Sequence, residues 1–93
     1  MKYEILYQEE VRQLDIPNLS PEWRIRIKNS IEEKLITNPE VFGKPLRRSL
    51  KGYRKLRVSD WRVVFRIEGL KVKIFAIGHR SVVYAIVAKR LSL

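Results

Sequence analysis

Two short turns do most to restrict how this chain can fold. Ser59-Asp60 and Glu68-Gly69 separate three runs, Tyr53–Val58, Trp61–Ile67 and Lys71–Ile77, in which apolar and basic residues alternate. Alternation is the strand period, and connections this short join adjacent runs as antiparallel hairpins. With Ser59-Asp60 at the tip, Arg57 faces Arg62, Leu56 faces Val63 and Lys55 faces Val64. With Glu68-Gly69 at the tip, Arg62 faces Phe75, Val64 faces Lys73 and Phe65 faces Val72. Side chains two apart share a face, so the sheet has two unlike faces. Leu56, Val58, Trp61, Val63, Phe65, Val72, Ile74 and Ala76 make an apolar face that must be covered. Lys55, Arg57, Arg62, Val64, Arg66, Lys71, Lys73 and Phe75 make the other, and six of these eight are cations.

The remaining segments supply the cover. Lys2–Tyr7, with Tyr3, Ile5 and Tyr7 on one side, reads as a further strand. Glu9–Leu14 suits a short helix ended by Pro17. Ser20-Pro21-Glu22 is a helix start, with Ser as N-cap, Pro at the first helical position and an acid in the first turn. From there Trp23, Ile27, Ile31 and Leu35 recur every fourth residue, which predicts an amphipathic helix to about Thr37, stopped by Asn38-Pro39. Pro39–Gly52 holds two prolines and two glycines and reads as an irregular connection, and Val82–Leu91 as a short C-terminal helix. The expected fold is α+β: one domain over residues 1–93, a mainly antiparallel four-stranded sheet, N-terminal helices on one face, and a short C-terminal helix.

Charge narrows the partner. Lys and Arg number 20 against 10 Asp and Glu, a formal charge of +10 on 93 residues, which favours a polyanion whose counterions are released on binding. The 45% hydrophobic content, spaced periodically, excludes a disordered basic tail. Without cysteine there is no disulfide framework, thiolate nucleophile or cysteine zinc site. No apolar run suits a signal peptide or a membrane span, so a cytoplasmic protein with no membrane partner is expected.

Like charges directly opposed on a sheet repel, so Arg57 against Arg62, with Lys55 beside them, calls for an anion between them. Arg66, Lys71 and Lys73 serve equally well to solvate an open face. Val64 and Phe75 either offer a surface on which a base stacks or lie under the C-terminal segment. Lys44, Arg47, Arg48 and Lys51 in the irregular connection can grip RNA phosphates or form a solvated loop. His79, the one histidine, stands at a strand end, where such a residue is more commonly structural than a general base. Asp60 and Glu68, the acids near the cationic face, sit at hairpin tips and make no metal cage, so no metal or cofactor is expected. No Ser/His/Asp arrangement, phosphate-binding glycine loop or dinucleotide fingerprint is present.

The stretch Leu50–Tyr84, LKGYRKLRVSDWRVVFRIEGLKVKIFAIGHRSVVY, resembles the RelE/ParE toxin superfamily, in which a hairpin of the form L.G..RLRVGDYRVIY is followed by a strand and GHR..VY. The strand, helix and loop before it fit the same layout. For a RelE-type toxin the resemblance implies a site made of Lys55 and Arg57 on one strand, Arg62 on the next, Arg80 after the last, and Tyr84. Arg57 stands where the best-known member has Lys, and the spacing from Arg80 to Tyr84 is tighter than in that member. It also implies a ribosome-dependent nuclease that cuts mRNA in the A site without metal, and a cognate antitoxin as protein partner. In such a reaction the 2′-hydroxyl attacks the adjacent phosphate, so the protein must align the attack, move protons and stabilise phosphoryl charge. Arg57 and Arg62 suit charge stabilisation, because a guanidinium grips phosphate with two parallel bonds. Arg80 is implied at the leaving oxygen, Lys55 as a candidate base, and Tyr84 at a base or the 2′-hydroxyl. Lys44, Arg47, Arg48, Lys51, Lys73 and Phe75 are the expected RNA-binding residues around that set. The apolar C-terminal helix, with Val82, Val83, Ile86 and Val87, offers a docking place for the antitoxin. Two other functions fit the same superfamily: a ParE-like toxin that poisons gyrase, and a noncatalytic domain that binds RNA or antitoxin.

Overall fold

The local signals that start the long helix act as read. In the computed structural model, which describes residues 2–92, α1 runs Pro21–Leu35, and the Ser20 hydroxyl accepts from the Trp23 N–H at 3.4 Å. Its stripe packs on the sheet: Ile27, Ile31 and Leu35 are buried and Trp23 is half-buried. Before it, β1 (Glu4–Tyr7) leads into a helical stretch that widens to a π turn at Val11–Asp15, where the Ile16 N–H donates to the Val11 carbonyl at 2.9 Å.

Five strands, not four, form the sheet, in the order β1, β5, β4, β3, β2. They are β2 (Lys44–Pro45), β3 (Arg54–Val58), β4 (Trp61–Glu68) and β5 (Lys71–His79), with β1 parallel to β5 and the other pairs antiparallel. The extra strand, β2, lies in the connection expected to be irregular, after a four-residue helix, α2 (Pro39–Phe42). Two residues, one of them Pro, carry no alternation from which a strand can be read. Gly43, between α2 and β2, is fixed by close packing: a Cβ there would run into the Phe65 ring in the core.

The β3–β4 register is as expected, with Arg57 opposite Arg62, Leu56 opposite Val63 and Lys55 opposite Val64. The β4–β5 register is not. The turn is Gly69-Leu70, with Gly69 at φ +61° in the first turn position, which favours glycine because no Cβ obstructs it. Glu68 therefore stays in the strand opposite Lys71, Arg66 faces Lys73, and Phe65 faces Ile74. A bulge at Phe75 then shifts the pairing again: Val64 faces Ala76, Arg62 faces Gly78 and Trp61 faces His79. An extra residue reverses the alternation beyond it. Ala76, assigned above to the face under α1, consequently packs with Val64 on the opposite face, and Ile77 takes its place under α1.

Two cores result. Between α1 and the sheet lie Leu56, Val58, Val63, Phe65, Val72, Ile74 and Ile77 with Ile27, Ile31 and Leu35. On the other face α3 (Val83–Arg90) buries Val83 and Val87 against Val64 and Ala76, flanked by Leu46, Leu50 and Tyr53. The cationic face is thus covered over part of its area. The apolar side of α3 is used within the fold, leaving Val82 exposed.

A candidate nucleic-acid interface

The part of that face outside α3 is where the cations gather. Arg57 stands opposite Arg62 on β4, and two residues back along β3, Lys55 stands opposite Lys44 on β2. Together with Phe42 these four side chains line a cleft of about 140 Å³. Among the described residues none of the four is paired with a carboxylate. Two facing pairs of like charge are unfavourable in themselves and become favourable around an anion. Arg62 is pre-shaped, its Nη1 donating to the carbonyls of Ser59 at 2.8 Å and Trp61 at 2.9 Å.

Two further members of the expected set contact residues beside this cleft, Tyr84 through Lys55 and Arg80 through the Ser59-Asp60 turn. Tyr84, in the first turn of α3, lies with its ring centroid 5.9 Å from the Lys55 Nζ. Arg80 is tied to the same turn that anchors Arg62: its N–H donates to the Asp60 carbonyl at 2.8 Å, and its Nε lies 3.5 Å from Asp60 Oδ1. Both side chains of that ion pair are largely exposed, so it opens at little cost when a stronger anion arrives.

The other expected RNA contacts divide. Lys44 joins the cleft, while Arg47, Arg48 and Lys51 are exposed on the adjoining segment, Lys51 beside a separate groove with Tyr53 and Arg54. Lys73 lies at the far end of the face, 3.0 Å from Glu68, which also meets Arg66 at 3.6 Å. The hydrogen bond from Lys73, assisted by the charges of Lys73, Arg66 and Lys71, holds the Glu68 carboxyl below the usual carboxylate range. Phe75 packs edge-on against Tyr53, with ring centroids 5.0 Å apart, and with Arg90 and Leu91 lines a small cavity below the end of α3. Val64 takes the second of its two readings, buried under α3, while Phe75 stays half-buried beside Tyr53. His79 lies on the α1 side, edge-on to Trp61, and its Nδ1 accepts from the Ser81 N–H at 3.2 Å, an arrangement that fits a structural role.

Two features escaped the sequence reading. Phe42 enters the cleft from a segment without periodicity, where the apolar pair Val41-Phe42 was the available signal. Asp15 and Arg90, distant in sequence, form a nearly buried ion pair at 2.6 Å that fastens α3 to the body. Among the described residues no group of three or more His, Asp or Glu could hold a metal ion, and no helix is long and apolar enough to cross a membrane.

Known proteins share the family and the fold of this chain. The profile of the family described as ParE toxin of type II toxin-antitoxin system, parDE, matches residues 15–84. Toxin RelE of Mycobacterium tuberculosis is 42% identical over 52 residues, 54% of each chain, so the match spans about half the length of that curated relative. Among solved structures, a chain of the toxin-antitoxin complex RelBE2 from M. tuberculosis superposes with a TM-score of 0.80 at 28% identity, over 86% of this chain and 100% of that one. A double mutant of the E. coli toxin RelE in the free state shares the fold, with a TM-score of 0.74 at 21% identity over 97% and 98% of the two chains.

Proposed function

This chain belongs to the ParE toxin family of type II toxin-antitoxin systems, and on that premise we propose that it is a RelE-type endoribonuclease that cuts mRNA in the ribosomal A site. The observation that carries the reading is the cleft of Lys44, Lys55, Arg57 and Arg62, an uncompensated cationic recess with Tyr84 beside Lys55 and Arg80 on the turn next to Arg62. A scissile phosphate between Arg57 and Arg62 relieves the repulsion of the facing pair and receives charge-assisted hydrogen bonds. The 2′-hydroxyl oxygen attacks phosphorus while the bond to the 5′ oxygen breaks, leaving a 2′,3′-cyclic phosphate and a 5′-hydroxyl. The proton lost by the 2′-hydroxyl passes to the Lys55 side, where Tyr84 orients the sugar, and a proton reaches the 5′ oxygen from the Arg80 side. Arg62, already fixed by two backbone carbonyls, needs little reorganisation to stabilise the charge that develops on the phosphoryl oxygens.

The same premise gives a cognate antitoxin as the protein partner, as in the RelBE2 complex of the similar structure. A translation extract programmed with a defined mRNA tests the catalytic reading. Cuts should appear within ribosome-bound mRNA, and Arg62→Ala or Arg80→Ala should slow single-turnover cleavage on saturated ribosomes by on the order of 100-fold, the usual loss for one preorganised donor. Binding should fall far less. Intact mRNA together with gyrase trapped on DNA would move the assignment to a gyrase poison, and neither effect would leave a binding domain.

A further inference from the structure

Phe42 is the one large apolar side chain in a cleft otherwise lined by cations, and it is 42% exposed. Exposure of a single aromatic is ordinary. What sets this position apart is how firmly the backbone that carries the ring is held. Pro39, at the start of α2, is buried, and the Phe42 and Gly43 N–H groups donate to the Asn38 and Pro39 carbonyls at 3.1 and 3.0 Å. Gly43 lies against the buried Phe65 ring with no room for a Cβ. The Arg54 Nη1 donates to the Gly43 carbonyl at 2.8 Å and the Glu40 carbonyl at 3.4 Å, clamping both sides of the turn. Lys34 reaches from α1 to within 5.6 Å of the ring centroid and adds a cation to the rim. An aromatic carried on a fixed turn beside a row of cations is the combination by which single-stranded nucleic acid is held, bases on the ring and phosphates on the charges.

We propose that Phe42 is a base-stacking platform, which takes an unpaired RNA base next to the phosphate held by Lys44, Lys55, Arg57 and Arg62. This rests on the reading of the cleft as the mRNA site, and deepens it: the site recognises a nucleobase flanking the cut as well as a phosphate. Tyr84 stands on the α3 side of the cleft and Phe42 on the α2 side, so the phosphate site has an aromatic ring on each flank.

The test is binding, which does not depend on cleavage. Short single-stranded oligoribonucleotides with 2′-O-methyl sugars, which cannot be cut, carry 2-aminopurine at successive positions and are titrated with the protein at low salt. One position should show strong fluorescence quenching. Phe42→Ala and Phe42→Leu should each abolish that quenching and weaken binding by roughly 5- to 150-fold, the range for loss of one base–aromatic stack. Phe42→Trp should retain both. Thermal unfolding of each variant identifies loss of folding, and Phe42→Leu keeps the apolar contact, so full rescue by Leu would overturn the proposal in favour of simple packing. Unchanged quenching in Phe42→Ala, or no binding of the oligonucleotides by the parent protein, would overturn it too. If quenching depends on Phe42 yet the translation extract shows no cut mRNA, the catalytic reading fails and the stacking platform stands.

Discussion

Replacing Arg90 by Ala should unbalance the only polar attachment at the end of α3 among the described residues. Arg90 Nη2 and Nη1 donate to Asp15 Oδ1 at 2.6 Å and Oδ2 at 2.8 Å, and Nη1 also donates to the Phe75 carbonyl at 3.1 Å. Asp15 Oδ2 accepts in addition from the Ile77 N–H at 2.9 Å. These contacts lie where β1 stops: its pairing ends at Tyr7 opposite Ile74, with the Gln8 N–H donating to the Ile74 carbonyl. Beyond that point the bulged edge of β5 has no neighbouring strand, and the ion pair supplies the missing partners. Removing one member of a buried pair leaves the other charge uncompensated, at about 3–5 kcal/mol. The Arg90 side chain retains 16% exposure against 6% for Asp15, so water partly reaches the gap and the lower end applies, about 3 kcal/mol. At 4–8 °C per kcal/mol for a domain of this size, Tm should fall by about 12–24 °C. Urea denaturation of Arg90→Ala, Asp15→Ala and the double variant measures the coupling, which should be at least ~2 kcal/mol for groups in direct contact. Hydrogen exchange should locate the loosening in α3. Losses below about 1 kcal/mol for both single variants, or strict additivity in the double, would refute this account.

Three further outcomes are expected. RNA binding should weaken steeply with salt, and Lys55→Ala or Arg57→Ala should each reduce the log–log slope by about 0.7, the value for one single-strand phosphate contact; Lys73→Ala, whose charge already faces Glu68, should leave the slope nearly unchanged. Burial, reinforced by the Glu32 carboxylate, raises the Tyr7 phenol above its ordinary range, so its neutral form stabilises the fold below the pKa of an unfolded tyrosine. That contribution is lost as pH rises through the raised folded value, and alkaline denaturation followed by phenolate absorbance should show a step that Tyr7→Phe removes. Gly43→Ala should destabilise by about 1–3 kcal/mol, because the new methyl must displace Phe65 from a filled core; an unchanged urea midpoint would contradict the packing argument.

What could be read from the sequence was what local rules decide. The α1 stripe and its Ser20 cap need only neighbours in sequence, and the β3–β4 hairpin needs only a two-residue turn, so Arg57 and Arg62 fell opposite each other as expected. Glu68-Gly69-Leu70 admits two tips, since glycine can take positive φ at either central position, and the choice falls to strand pairing. The bulge at Phe75 was invisible for a stronger reason. Its free groups are satisfied by Asp15 and Arg90, which stand 75 positions apart from each other. Ala76 was placed on the wrong face on that account and the expected Arg62–Phe75 pairing was lost, while Lys73 faces Arg66 rather than Val64 because the tip is Gly69-Leu70. Lys44 reached the cleft through a two-residue strand that no alternation announces.

Charge balance along the cationic face separates neutralised positions from uncompensated ones. At the far end, Glu68 neutralises Lys73 and Arg66. In the middle, α3 covers Val64 and Ala76 and withdraws them from solvent. At the near end the acid within reach, Asp60, pairs with Arg80 on an exposed turn and leaves Arg57, Arg62, Lys44 and Lys55 facing one another. Repulsion there lowers the stability of the empty fold, and any group that relieves it gains the same free energy on binding. A solubilising surface would intersperse acids among such residues. The sheet instead keeps Glu68, the acid of β4, for the end away from the cleft, so on the proposed reading a phosphate is drawn most strongly to the place bordered by Arg62 and Phe42.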